Sequence, residues 1–108
     1  MAEKLYIVVR GDLPPGLQLS QSTHAARQFA HEHPALELAW FQSSNTIAIL
    51  SVAQEEELKE LLKKAHWAEL KTAAFHEPDL GGSLTAIALQ PGNKSNKLLR
   101  RLPLALST

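Results

Sequence analysis

The sequence predicts an α/β fold: one domain with a four-stranded mixed β-sheet and helices on both faces, in the order β-α-α-β-α-β-β-α. Three observations carry that expectation. The run Tyr6–Val9, β-branched and aromatic without polar alternation, has the character of a strand covered on both faces, and Thr46–Val52 is again apolar and β-branched. Stretches of helical period separate the apolar runs. A chain of 108 residues without repeats or a linker suits a single core spanning 1–108.

Lys4–Arg10 is the first strand. Pro14-Pro15-Gly16 breaks the chain, and a helix is expected from about Gln18 to His31 or His33, stopped by Pro34. Its packing stripe is Ser22, Ala25, Ala26, Phe29 and Ala30, small enough for close approach to a sheet. The opposite face is assigned Gln21, His24, Arg27, Gln28 and His31. Pro34–Phe41 is expected to form a short helix with Leu36, Leu38, Trp40 and Phe41 as packing residues.

Thr46–Val52 forms the second strand, and Gln54–His66 is the most regular helix. Leu58, Leu61, Leu62 and Ala65 share one of its faces. Glu55, Glu56 and Glu57 stand at its N-terminal end and Lys63 and Lys64 at its C-terminal end, as the helix dipole favours. Leu70–Phe75 is the third strand, Glu77–Leu84 a loop, Thr85–Leu89 the fourth strand and Ser95–Leu102 a last helix.

Composition narrows the chemistry. The chain has no cysteine, which excludes disulfides and thiolate catalysis. It lacks a secretory-type start and any apolar run near the roughly 18 residues of a membrane span. A cytoplasmic protein without a membrane partner is therefore expected. Net charge is zero, but no acid follows Asp79, while Lys94, Lys97, Arg100 and Arg101 form a basic tail. That tail is either a phosphate contact or a solvated helix face.

Tyr6–Ala26 is where chemistry is expected, because a strand end, a polar turn and a helix N-terminus converge there. The crevice at the carboxyl ends of the parallel strands should have Arg10–Gln21 as one wall and Phe75–Thr85 as another. His24 is either an acid–base group or a residue that fixes the turn. Asp12 either orients a base or water, or has a structural role in capping the turn or pairing with Arg10. Glu77 and Asp79 put two carboxylates in one polar loop, as functional groups or as a turn's acidic edge.

Other patterns are rejected. His31 and His33 are two apart on a helix, so they cannot share a metal, and no metal site or cofactor is expected. Ser20, Ser22, His24 and Asp12 lack the elbow that activates a serine. Gly81-Gly82 lacks the lysine and hydroxyl of a phosphate loop. Arg10-Gly11-Asp12 is an integrin-type tripeptide by chance.

Four segments in order resemble the class II, archaeal/eukaryotic-type peptidyl-tRNA hydrolases: YIVVRGDL at Tyr6–Leu13, QSTHAA at Gln21–Ala26, the EEEL helix from Glu55, and TAIALQP at Thr85–Pro91. The resemblance implies a four-stranded mixed sheet and a homodimer. It also implies hydrolysis of the ester between peptide and tRNA, with peptidyl-tRNA or tRNA as partner and no DNA. By the same resemblance Gln21, His24 and Thr85 match site positions, and the acid before the last strand falls on Glu77 or Asp79. The lysine usual in the first turn falls on Leu17, and the turn is two residues shorter than usual. As a catalytic set this gives Asp12, His24, Glu77, Asp79 and Thr85. Arg10, Gln21, Lys94, Lys97, Arg100 and Arg101 are the substrate-binding set. Amides near Leu19–Gln21 are expected to supply oxyanion donors. With the lysine gone, a binding module that has lost catalysis is the alternative.

Overall fold

The computed structural model describes residues 3–107. The elements are β1 (Lys4–Arg10), α1 (Pro15–Glu32), α2 (Pro34–Ser43), β2 (Thr46–Val52), α3 (Glu55–Trp67), β3 (Thr72–Glu77), a 3-10 turn (Pro78–Leu80), β4 (Ser83–Leu89) and α4 (Asn93–Leu99). The sheet order is β2-β1-β4-β3. β1 pairs in parallel with β2, and β4 runs antiparallel to both β1 and β3. Three strands therefore end at one edge of the sheet, where β4 begins.

Strand alternation divides the core into two layers. Tyr6, Val8, Leu50, Val52, Ile87 and Leu89 pack with Leu58 and Leu61 of α3 and Leu99 of α4. Leu5, Ile7 and Val9 point the other way, onto Ala25 and Phe29 of α1 and Trp40 of α2. On that second face the sheet offers Ala73, Ala86 and Ala88, whose small side chains let α1 lie close. Burying a side chain such as Ile7 or Phe29 there contributes about 1.5–3 kcal/mol.

Several expectations need correction. α1 starts three residues before Gln18, because Pro15 at its first position presets the helical φ. In α2 only Trp40 is buried; Leu36, Leu38 and Phe41 are exposed. The β3–β4 hairpin reaches to Glu77 and Ser83, further than Phe75 and Thr85, with Gly81 and Gly82 at positive φ closing it. α4 begins at Asn93 and ends at Leu99, after which the chain turns at Leu102. Residues 103–105 then lie against the open edge of β2, through Ser51 N–H to Pro103 O and Ala105 N–H to Ile49 O. Such an edge-covering segment carries no strand pattern of its own and was not foreseen. Among the described residues no helix is long and apolar enough to cross a membrane.

Candidate active site

The convergence of strand ends brings Arg10–Gln21 and Phe75–Thr85 together, as the topology rule requires. At its centre is a chain of polar contacts between segments far apart in sequence. The Thr85 hydroxyl donates to Gln21 Oε1 at 2.5 Å. Gln21 Nε2 donates to Glu77 Oε1 at 2.8 Å, and the Asp79 backbone N–H donates to Glu77 Oε2 at 3.2 Å. This pattern fixes the Gln21 amide, since reversing it would set oxygen against carboxylate.

Gln21 is 1% exposed and Thr85 is fully buried. The expectation of Gln21 on the solvent face fails for a reason visible in its spacing. It precedes Ala25 by four residues, which puts it on the packing face despite its polarity. Leu17, Gln21 and His24 form one stripe toward the end of β3, and Gln18, Ser22, Ala25 and Phe29 form another toward β1.

Thr85 reaches Gln21 because β4 bulges. Phe75 pairs with Ala86 while His76 pairs with Leu84, leaving Thr85 as the extra residue. Two side chains hold the bulge beyond the last β1–β4 pair. Leu84 N–H donates to Glu55 Oε2 at 2.8 Å, and Leu84 O accepts from Arg10 Nη1 at 3.4 Å. Sequence reasoning missed Glu55, whose place at the start of α3 signalled only the helix dipole.

Arg10 itself is gripped by Asp12, with Nε to Oδ1 at 3.0 Å and Nη2 to Oδ2 at 2.8 Å. Of the two readings of Asp12, the structure shows the pairing. The hydrogen bond to Arg10, offset in part by desolvation, holds the Asp12 carboxyl below its ordinary range. The bond to Asp12 also raises the Arg10 value.

Glu77 is likewise held low, first by the Gln21 hydrogen bond, then by the Asp79 amide, with a smaller contribution from the His24 charge. His24 stacks flat on Phe75, ring centroids 4.4 Å apart and planes 10° from parallel. Asp79 contributes its backbone amide, while its side chain makes no hydrogen bond among the described residues.

The remaining candidates lie elsewhere. Lys94 and Lys97 are on α4, Arg100 follows it, and Arg101 lines a groove against Glu56, Glu57 and Glu60 of α3. That is the face opposite α1, and none of the four makes an ion pair among the described residues. Leu19–Gln21 amides sit inside α1, where the helix ladder uses them; Gly16 and Leu17 are the first-turn amides. His33 Nε2 lies 2.8 Å from Thr72 O, and among the described residues no group of three His, Cys, Asp or Glu side chains is placed to hold a metal ion.

The sequence model of the family described as peptidyl-tRNA hydrolase PTH2 matches residues 3–104. The chain belongs to this family. A solved structure is similar over nearly the full length: that of a protein of unknown function from Agrobacterium tumefaciens strain C58. Identity is 12%, the TM-score is 0.71, and the match covers 96% of this chain and 98% of the other. At that identity the likeness speaks for the fold. No protein of curated function matches the sequence.

Proposed function

We propose that this PTH2 member hydrolyses the ester joining a peptide to the 3′ end of tRNA, so that tRNA is recycled from aborted translation in the cytoplasm. The observation that carries the reading is the Thr85–Gln21–Glu77 relay at the strand ends of a chain of this family. Two donors orient the Glu77 oxygens and hold its carboxyl below the ordinary range, so an ionised carboxylate is fixed in place to position water, at the cost of lower intrinsic basicity.

In the proposed step a water oxygen attacks the ester carbonyl carbon while Glu77 takes the water proton. The tetrahedral intermediate expels the ribose oxygen, which receives that proton from Glu77. Peptide acid and tRNA leave, and the carboxylate is restored. Amides of Gly16 and Leu17 at the α1 N-terminus are the donors suited to the developing oxyanion. Buried Thr85 and Gln21 orient Glu77 without touching substrate, and Arg10 with Asp12 holds the bulge. His24, stacked on Phe75, borders the carboxylate.

Lys94, Lys97, Arg100 and Arg101 are assigned to tRNA phosphate, and a homodimer is the proposed working state. Replacing both Arg100 and Arg101 by Ala then weakens tRNA binding and flattens its salt dependence. Unchanged affinity would make the tail a solvated face.

Leu17 in place of the usual lysine favours a second reading, a scaffold that binds tRNA without turnover. Purified protein incubated with peptidyl-tRNA separates the two. Release of free peptide supports the enzyme; binding without release, where a family control turns over, overturns it.

A further inference from the structure

The sheet has two edges, and the chain treats them differently. The β2 edge is covered by residues 103–105. β3 forms the other edge and, among the described residues, pairs with β4 alone. In an antiparallel ladder alternate residues turn their N–H and C=O toward the partner strand. The carbonyls of β3 fix the phase of that alternation. Lys71 O takes the Gln90 N–H, Phe75 O takes the Thr85 hydroxyl, and Glu77 O takes the Gly82 N–H. Thr72, Ala74 and His76 consequently aim their backbone groups outward. Two contacts agree with this phase. Thr72 O meets His33 Nε2 at 2.8 Å, and Leu84, opposite His76, turns its own N–H and C=O to Glu55 and Arg10.

With Thr72 O taken by His33, the open run is 74–76, immediately before Glu77. The outward N–H and C=O of Ala74 and His76 have no partner among the described residues. Ala74 is too small to shield them, and His76 is exposed. An edge of this kind is a template for another extended chain. Its direction matters here, because β3 runs toward Glu77. A peptide laid parallel to β3 brings its C-terminal carbonyl to the carboxylate. An antiparallel one carries that carbonyl away, toward Thr72.

We infer that the open edge of β3 binds the peptide part of peptidyl-tRNA as an added parallel strand, an inference that rests on the ester-hydrolase reading above. In this pairing Ala74 C=O accepts the N–H of the substrate's penultimate residue, and His76 N–H donates to the C=O of that same residue. Ala74 N–H donates to the C=O of the residue fourth from the end. The last residue, which bears the ester, is then level with Glu77. The penultimate side chain falls on the Phe75 side of the sheet, beside the His24–Phe75 stack. Every hydrogen bond is to backbone, so the edge takes peptides of varied sequence, provided that the penultimate residue has an N–H. An aminoacyl-tRNA has no penultimate residue and gains none of these bonds.

The test uses the full ¹⁵N-labelled chain and acetyl-Ala-Ala-Ala-amide, whose acetyl carbonyl stands for the residue fourth from the end. Titration should give saturable shifts of the Ala74 and His76 backbone amides and slow their hydrogen exchange. N-methylation of the middle alanine should weaken binding by about two- to tenfold, the effect of one net hydrogen bond. N-methylation of the first alanine, whose N–H points away from β3, should leave binding unchanged. In acetyl-Ala-Ala-Ala-tRNA the first change should raise KM by the same factor and the second should not. Peptide release equally sensitive to both N-methyl groups would overturn the edge site and leave the ester chemistry standing. Selective binding of the peptide without release from tRNA would support the edge site and overturn the enzyme. Absence of shifts at Ala74 and His76 would also overturn the inference. So would shifts of those amides on concentrating the protein without peptide, which would give the edge to a second copy of the chain.

Discussion

Thr85→Val isolates the polar relay from the packing around it. The substitution keeps the side chain's shape and removes one hydroxyl in a fully buried setting. Gln21 Oε1 then loses its donor at a residue that is 1% exposed. Stranding an acceptor in that way costs about 1–3 kcal/mol. For a domain of this size each kcal/mol lowers the melting temperature by about 4 °C, so a fall of about 4–12 °C is expected. Thr85→Ser keeps the hydroxyl and loses one buried methyl, which costs about 0.8 kcal/mol. Thermal and urea unfolding of the three proteins should therefore rank wild type, then Ser, then Val. In the peptide-release assay Val should be about 10- to 100-fold slower, because Gln21 no longer holds Glu77 in one geometry, while Ser stays near wild type. A Val variant as stable as wild type, or a Ser variant worse than Val, would refute the relay and leave Thr85 as a packing residue.

Leu17→Lys puts an ammonium one helical turn before Gln21 on the same stripe; peptide release should rise by up to about 10²–10³, and an unchanged rate would mean that the site does not use a cation there. Glu77→Gln preserves a hydrogen-bond acceptor for Gln21 but removes the base, so turnover should be lost while the fold remains. Because folding lowers the Glu77 value, its stabilisation is complete above the ordinary glutamate value of about 4.3 and disappears as pH falls through the lower folded value. The acid-side drop in melting temperature should accordingly be shallower in Glu77→Gln, and parallel pH curves would contradict that assignment. Glu55→Ala releases Leu84 N–H and should cost roughly 1 kcal/mol and slow release, with Glu55→Gln restoring both; failure of Gln to rescue would remove Glu55 from the positioning of Thr85.

Much of this architecture was legible in local pattern. The bounds of β1 and β2 follow from β-branched runs, and α3 follows from its leucine spacing and end charges. Tyr6–Leu13 and Gln21–Ala26 pointed to the family that the match over residues 3–104 shows, and to the edge of the sheet where the candidate site lies. What stayed hidden was every feature that depends on two distant segments meeting. Gln21 looked like a surface residue because polarity suggested water, whereas the interior supplies Thr85 and Glu77 as its partners. β3 looked two residues shorter at its end because alanine-rich strands have weak intrinsic preference, and pairing with β4 decided their extent.

By itself, then, the sequence determined the order of elements and the family and pointed to the region of the candidate site, since those rest on periodicity, turn residues and short motifs within one stretch of chain. Only the tertiary structure decided which polar groups face each other. The bulge at Thr85 and the hold of Arg10 and Glu55 on Leu84 both arise where a backbone or side-chain group must find a partner across the fold. Buried hydrogen-bonding groups demand such partners, but no local pattern says which distant segment will provide them.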